Sequence, residues 1–357
     1  MNLPSLNIGD LKAKFPIIQG GMGIGVSLSN LAAAVTNEGG IGVISAAQIG
    51  YREPDFETNN LEANLRALRS EIHKAKDKCK NGIIGLNVMV AMNNYKQTIM
   101  AAVEEKVDLI ISGAGLPLDL PSFVTDSKTK IAPIVSSGKA AMLIAKTWDK
   151  RFSYCPDAVV VEGPEAGGHL GFSMDSFIKH STMGLKDIVK EVIEALKPFE
   201  EKYNKTIPVI AAGGIYTGKD IAECLKAGAA GVQIATRFVT TVECDADIKF
   251  KEAYLNAKEE DVKIIMSPVG MPGRAVNNAF LKEVEKGRVA VKKCYNCIKS
   301  CNPANTPFCI SKALINAVQG NTDEGLVFVG SNVYRNDKIV TVKELMEELV
   351  TEAENEY

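Results

Sequence analysis

The sequence predicts an α/β fold in which eight parallel strands, each followed by a crossover segment, close into a (β/α)8 barrel. Two observations predict it. Short β-branched runs alternate with segments of helical period along most of the chain, the pattern that crossover connections between parallel strands produce. Glycines and polar residues then follow run after run, as they do where the loops at one end of a barrel gather around a ligand.

The candidate strands are residues 17–19, 41–45, 83–88, 109–112, 131–135, 158–161, 209–212 and 231–235. Eight strands in about 220 residues suit a barrel, for which ~250 residues is typical; a doubly wound open sheet is the alternative, and strand count alone separates the two poorly. Between the runs, Leu61, Leu65, Leu68 and Ile72 fall on one stripe of a helix, as do Leu185, Ile188, Val189, Val192 and Leu196. Residues 163–184 are too long and too rich in Gly and Ser for a plain connection and read as a small insertion. A helix over 247–257 follows the eighth strand, and 266–278 reads as a loop. Residues 1–280 are thus expected to form the barrel domain. Residues 281–357 form a C-terminal cysteine-containing extension or lid, with an apolar piece at 326–329 and a last helix through Leu345, Met346 and Leu349.

Composition narrows the function. The 357 residues carry 41 basic and 43 acidic side chains, and only 6% are aromatic, so neither charge nor stacking platforms point to nucleic acid. A small neutral or anionic substrate suits this balance better. The first residues lack a basic stretch followed by an apolar one, and no run approaches 18 apolar residues, so no membrane role and a cytoplasmic location are expected. A homodimer is compatible with the sequence but not specified by it.

Chemistry is expected on the loops that follow the strands. Gly20-Gly21-Met22-Gly23-Ile24-Gly25 follows the first, Asn87 ends the third and Gly113-Ala114-Gly115 follows the fourth. After the sixth comes Glu162-Gly163-Pro164-Glu165-Ala166-Gly167-Gly168-His169, after the seventh Gly213-Gly214-Ile215, and at the eighth Gln233-Ile234-Ala235-Thr236-Arg237. Glycine lets backbone N–H groups approach an anion, so Gly213-Gly214 before a helix at 217–224, together with Thr236, makes a phosphate cradle; tight strand-to-helix turns are the plainer use of the same glycines. The glycines after the first strand lack the acidic partner of a dinucleotide-binding fingerprint.

Three histidines are present. His73 lies in a charged helical stretch and His180 beside Lys179 and Ser181, both readable as surface residues. His169 sits in a glycine-flanked loop at the ligand end, where an imidazole suits proton transfer near neutral pH. It is the acid/base candidate. Of eight cysteines, Cys79, Cys155, Cys224 and Cys244 are scattered, whereas Cys294, Cys297, Cys301 and Cys309 crowd together, unlike a disulfide framework. The crowded four could hold an Fe–S cluster or a structural zinc, or could be reduced thiols without a ligand, and no metal ligand is assigned from spacing alone.

Several of these motifs together resemble one family. Pro16-Ile17-Ile18-Gln19-Gly20-Gly21-Met22-Gly23, Gly85-Leu86-Asn87, Glu165-Ala166-Gly167-Gly168-His169, Ala211-Ala212-Gly213-Gly214-Ile215 and Gln233-Ile234-Ala235-Thr236-Arg237-Phe238 are similar to the nitronate monooxygenase (2-nitropropane dioxygenase) family, including its FMN-dependent enoyl-acyl-carrier-protein reductase branch. The likeness covers roughly residues 8–280 and matches motif after motif in order. It implies an FMN-binding TIM barrel. It also implies roles: Gly20, Gly21, Met22 and Asn87 against the flavin, Glu162 and Gly167 beside it, Gly213, Gly214, Gln233, Ile234, Ala235 and Thr236 around the phosphate, and His169 as the base. Glu162 stands where family members often carry Gln, and Ala235 where Gly is common. The resemblance implies oxidation of alkyl nitronates or nitroalkanes with O2 to carbonyl compounds and nitrite. Alternatives are an NAD(P)H-dependent reductase acting on an enoyl thioester or a quinone, and a flavin and Fe–S electron-transfer protein.

Overall fold

The runs rich in Val, Ile and Ala form strands because β-branched side chains pack well on a pleated, buried surface. In the computed structural model, which describes residues 2–79 and 81–357, they are β1 (Ile17–Gln19), β2 (Gly42–Ser45), β3 (Ile84–Met89), β4 (Leu109–Gly113), β5 (Lys130–Val135), β6 (Val159–Glu162), β7 (Val209–Ala212) and β8 (Gly231–Ile234). Each pairs in parallel with the next from β2 to β8, and β8 pairs with β1. The ring then closes: the Gln19 N–H donates to Ile41 O and the Ile41 N–H to Ile17 O, both at 2.9 Å. An open sheet would leave two unpaired edges, so the eight-stranded barrel stands and the doubly wound alternative falls.

Alternation along the strands fills both sides of the wall. Ile18, Val43, Ile111, Ala132, Val160 and Ile210 pack inside the barrel, where Leu6, Ile8 and Ala13 of an antiparallel N-terminal hairpin join them. Ile17, Ile44, Leu86, Ile110, Ile131, Val161 and Val209 face outward, in one core with the helices. Those helices are α1 (Ser29–Asn37), α2 (Asn60–Lys78), α3 (Tyr95–Glu104), α4 (Gly138–Phe152), α5 (Leu185–Tyr203) and α6 (Gly218–Lys226). The β4–β5 connection carries only a single 3₁₀ turn at Leu120–Phe123. Beyond β8, α7 (Ile248–Leu255), α8 (Ala279–Lys286), α9 (Ile310–Val318) and α10 (Val342–Glu356) complete the chain.

The segment after β8 divides between two places. Helix α10 packs against α6 and α1, burying Val342, Leu345, Met346, Leu349 and Ala353, so it occupies the place of a barrel helix. Contact with α6 is close: a Cβ on Gly218 would stand 2.4 Å from the Ala353 nitrogen. The stretch between α7 and α10 covers the strand C-termini. There the expected loop at 266–278 is corrected, because Val262–Met266 and Pro272–Val276 are antiparallel strands and Gly168–His169 of the insertion pairs with Gly273 and Arg274. Val262, Ile264 and Ile265 supply β-branched residues, and Gly270 at φ +85° makes the reversal that a sequence reading took for a long loop. Residues 326–329 run beside this small sheet, with Val276 N–H donating to Val327 O at 2.9 Å and Val329 N–H to Arg274 O at 3.0 Å. Over the mouth, Val269, Phe280, Ile298, Phe308, Ile310 and Leu326 form a core of their own. Among the described residues no helix is long and apolar enough to cross a membrane.

Candidate active site

The strand ends and the covering segment enclose a cavity of 430 Å³, and the residues to which the resemblance gives a role line it: Gly20, Gly21, Met22, Asn87, Glu162, Gly167, His169, Gly213, Gly214, Gln233, Ile234, Ala235 and Thr236. His73 and His180 lie elsewhere. Both are exposed, and His73 pairs with Glu105 on the surface.

The glycines shape the floor by absence of side chains. A Cβ on Gly21 would lie 2.3 Å from Asn87 Cβ, and one on Gly214, whose φ is +80°, would lie 2.4 Å from Glu165 Oε2. Gly213 also has positive φ, and a Cβ there would stand 2.9 Å from the Ala166 nitrogen. Among the described residues the N–H groups of Gly213, Gly214 and Ala235 donate to no backbone carbonyl. Beside them Gln233 Oε1 is buried with no hydrogen-bond partner. Buried polar atoms are rarely left so, since an unmet acceptor costs about 1–3 kcal/mol. Unpaired N–H groups in a side-chain-free cradle, with an orphaned amide oxygen alongside, fit a phosphorylated flavin.

His169 forms part of the cavity wall through its place in the small sheet. Its Nε2 lies 2.7 Å from Ser267 Oγ, and its ring meets Phe328 edge-on with centroids 5.0 Å apart. Ser267 Oγ is fixed in turn by the Val269 N–H at 3.3 Å. Burial disfavours the imidazolium and pulls the His169 pKa down to about 4, so the ring is neutral at pH 7. The Nδ1 atom has no protein partner among the described residues, which leaves one ring nitrogen for a ligand.

Glu162 ends β6 on the cavity wall. Burial pushes its carboxyl up to about 8, against the opposing pull of the Arg274 guanidinium, so the group holds its proton at neutral pH. A neutral carboxylic acid offers one O–H donor and one acceptor, much as a glutamine amide offers both. Arg274, which sequence reasoning missed, donates from Nη2 to Pro164 O at 2.8 Å and from Nη1 to Ala166 O, and so ties down the loop after β6. Ser267, Phe328 and Gly330 were missed as well; Gly330 N–H donates to Thr236 Oγ1 at 3.2 Å. No motif marked them: Phe328 and Gly330 line the cavity from the covering segment, whereas Ser267 and Arg274 act on it through His169 and the loop after β6.

Comparison with known proteins follows the same outline. The family model described as nitronate monooxygenase matches residues 5–352. The chain is 26% identical over 370 residues to (3aS,4S,5R,7aS)-5-hydroxy-7a-methyl-1-oxo-octahydro-1H-indene-4-carboxyl-CoA dehydrogenase of Rhodococcus jostii, covering 95% of this chain and 92% of that one. It is 26% identical to a probable nitronate monooxygenase of Staphylococcus aureus, over 77% of this chain and 79% of the relative. Among solved structures it is similar to FabK from Thermotoga maritima, with a TM-score of 0.72, 26% identity and coverage of 96% and 94%. The fold is also that of a nitroalkane oxidase from Streptomyces ansochromogenes, with a TM-score of 0.74, 21% identity and coverage of 96% and 97%.

Proposed function

Because the chain belongs to the nitronate monooxygenase family and is a flavin-dependent oxidoreductase, we propose that it binds FMN in the mouth cavity and oxidises alkyl nitronates or nitroalkanes with O2 to carbonyl compounds and nitrite. The observation that carries this reading is His169, a neutral imidazole on the cavity wall with one nitrogen engaged and the other free. Gly213, Gly214, Ala235 and Thr236 would hold the phosphate. Gln233, Glu162, Asn87 and the backbone of Gly20, Gly21, Met22 and Gly167 would flank the ring system. FMN, when bound, supplies the electron acceptor and the reaction with oxygen.

The chain's own residues do the rest. With the ring proton of His169 on Nε2 and donated to Ser267 Oγ, the Nδ1 lone pair is free to take the α-proton of a neutral nitroalkane. A preformed nitronate has already lost that proton and needs His169 only for orientation. Arg274 keeps the loop after β6 against the site, and the covering segment shields the reacting atoms from bulk water.

A second reading is reduction of an unsaturated acyl thioester with NAD(P)H as reductant. Val269, Ile298, Ile310, Leu314, Leu326 and Phe328 add an apolar wall to the cavity, more than a short nitronate requires, and the similarity to FabK and to a CoA-ester dehydrogenase supports the same substrate class. Anaerobic mixing of the flavin-loaded protein with ethyl nitronate, NADH and NADPH in separate stopped-flow runs tests both. Fast flavin bleaching by the nitronate alone is expected; fast bleaching by a pyridine nucleotide alone replaces this reading with the thioester one.

A further inference from the structure

We infer, on the reading of the cavity given above, that Gln48 is a further ligand-binding residue. Its side-chain Nε2 donates to an acceptor oxygen of the molecule held in the cavity, either a carbonyl of the flavin or an oxygen of the organic substrate.

Gln48 sits in the turn that follows β2, and its residue type is unusual for that place. Its φ is +45°, in the left-handed region where glycine or asparagine is the easier choice. The Tyr51 N–H closes the turn by donating to Gln48 O at 3.1 Å. The turn is pressed onto α2, since a Cβ on Gly50 would stand 2.5 Å from the Ala63 carbonyl carbon. A long amide is kept in this tight place. It is only 5% exposed, and it lines the cavity together with Ser45 and Ala47.

Hydrogen bonds to α2 fix which end of that amide faces the protein. The Gly50 N–H donates to Asn64 Oδ1 at 2.8 Å, so the other end of the Asn64 amide is its nitrogen. Asn64 Nδ2 donates to Asn60 O at 2.9 Å and to Gln48 Oε1 at 3.2 Å, and Asn60 Nδ2 donates to the same Oε1 at 2.8 Å. One backbone N–H and one backbone carbonyl thus set the polarity of the three amides. With Gln48 Oε1 engaged by the helix, its Nε2 carries two N–H donors that have no protein partner among the described residues. In a residue this buried, such donors are met by a ligand or by water. Among the described residues the side-chain atoms sealed off without a partner are Tyr51 Oη, Gln233 Oε1 and Asn277 Oδ1, so Gln48 Nε2 keeps an accessible surface, and the space that Gln48 borders is the cavity. An amide N–H donates and does not accept, so its complement is an oxygen such as a ring carbonyl, a nitronate oxygen or a thioester carbonyl. His169 offers the ligand a lone pair on Nδ1; Gln48 offers it a hydrogen.

The test compares the wild-type chain with Gln48→Glu and Gln48→Met. Gln48→Glu keeps an oxygen for Asn60 and Asn64 but puts a second oxygen where the N–H groups were, whereas Gln48→Met removes donor and acceptor without adding charge. FMN affinity is read from quenching of flavin fluorescence on titration with the flavin-free protein. On the FMN-loaded protein, KM for ethyl nitronate and Kd for crotonyl-CoA are measured. Both variants are expected to lose affinity for one of these ligands by roughly tenfold, the effect of one buried hydrogen bond. Weakened FMN binding assigns the acceptor to the flavin; intact FMN binding with a raised KM or Kd assigns it to the substrate. Wild-type affinities in both variants overturn the inference. So does a loss confined to Gln48→Glu, which is an effect of charge, or to Gln48→Met, which is an effect of the lost anchor on α2. Thermal unfolding checks that each variant folds, and Gln48→Asn, better suited to the positive φ but one methylene short, replaces one that does not and should show the same loss. Failure of the flavin reading shows in the wild-type chain as absence of FMN binding and overturns both; failure of this inference alone shows only in the variants.

Discussion

The imidazole of His169 and the carboxyl of Glu162 are shifted in opposite senses by the same cause, removal of the charged form from water. His169→Ala is expected to keep the fold and bound flavin while slowing turnover of a neutral nitroalkane by about 10²–10⁴-fold, the usual contribution of a general base; steady-state rates on nitroalkane and on preformed nitronate, which should lose much less, check it. Since His169 is lowered to about 4, its protonation should not produce an acid limb near pH 6.5 in that rate. For Glu162 the sign is the reverse. The folded protein keeps a proton that the unfolded chain releases, so its contribution is present below pH 4.5 and is lost as pH rises toward 8. Glu162→Gln should therefore flatten the fall in stability of the flavin-free protein between those values, as read by urea denaturation at several pH values. His169 was legible in the sequence because glycines bracket it after a strand. Ser267 and Arg274 were not, because their relation to the site is made by strand pairing across about a hundred residues of chain.

Strand ends and the turns after them carry the binding surface, and a single methyl group can spoil it. Gly21→Ala would bring its Cβ to 2.3 Å from Asn87 Cβ, on a strand held in place by pairing with its neighbour. The expected result is a folded protein with weakened flavin retention, measured as the fraction of flavin lost on gel filtration. The eight barrel strands could be read within a residue or two because β-branched runs and glycine punctuation agree with each other. The antiparallel pair Val262–Met266 and Pro272–Val276 escaped, since Pro272, Gly273 and Arg274 look like loop residues until a neighbouring strand supplies their hydrogen bonds.

At the scale of the molecule, α10 joins the most distant part of the sequence to the barrel. Leu349 is fully buried on its inner face, so Leu349→Ala is expected to cost about 2–5 kcal/mol, as large-to-small changes in packed cores do; thermal unfolding should show the loss. The spacing of Leu345, Met346 and Leu349 marked a helix from the sequence, yet nothing local told that it would sit beside α1 and α6, because helix partners are chosen by tertiary packing. The course of the chain from α7 to α10 has a mechanical result. A flap fixed at one end can swing about a single hinge, whereas this strap leaves the barrel after β8 and returns to it at α10, with both feet planted in the wall. Ligands must then enter and leave by the parting of neighbouring loops under a span that stays in place, which favours small, frequent openings over one large excursion.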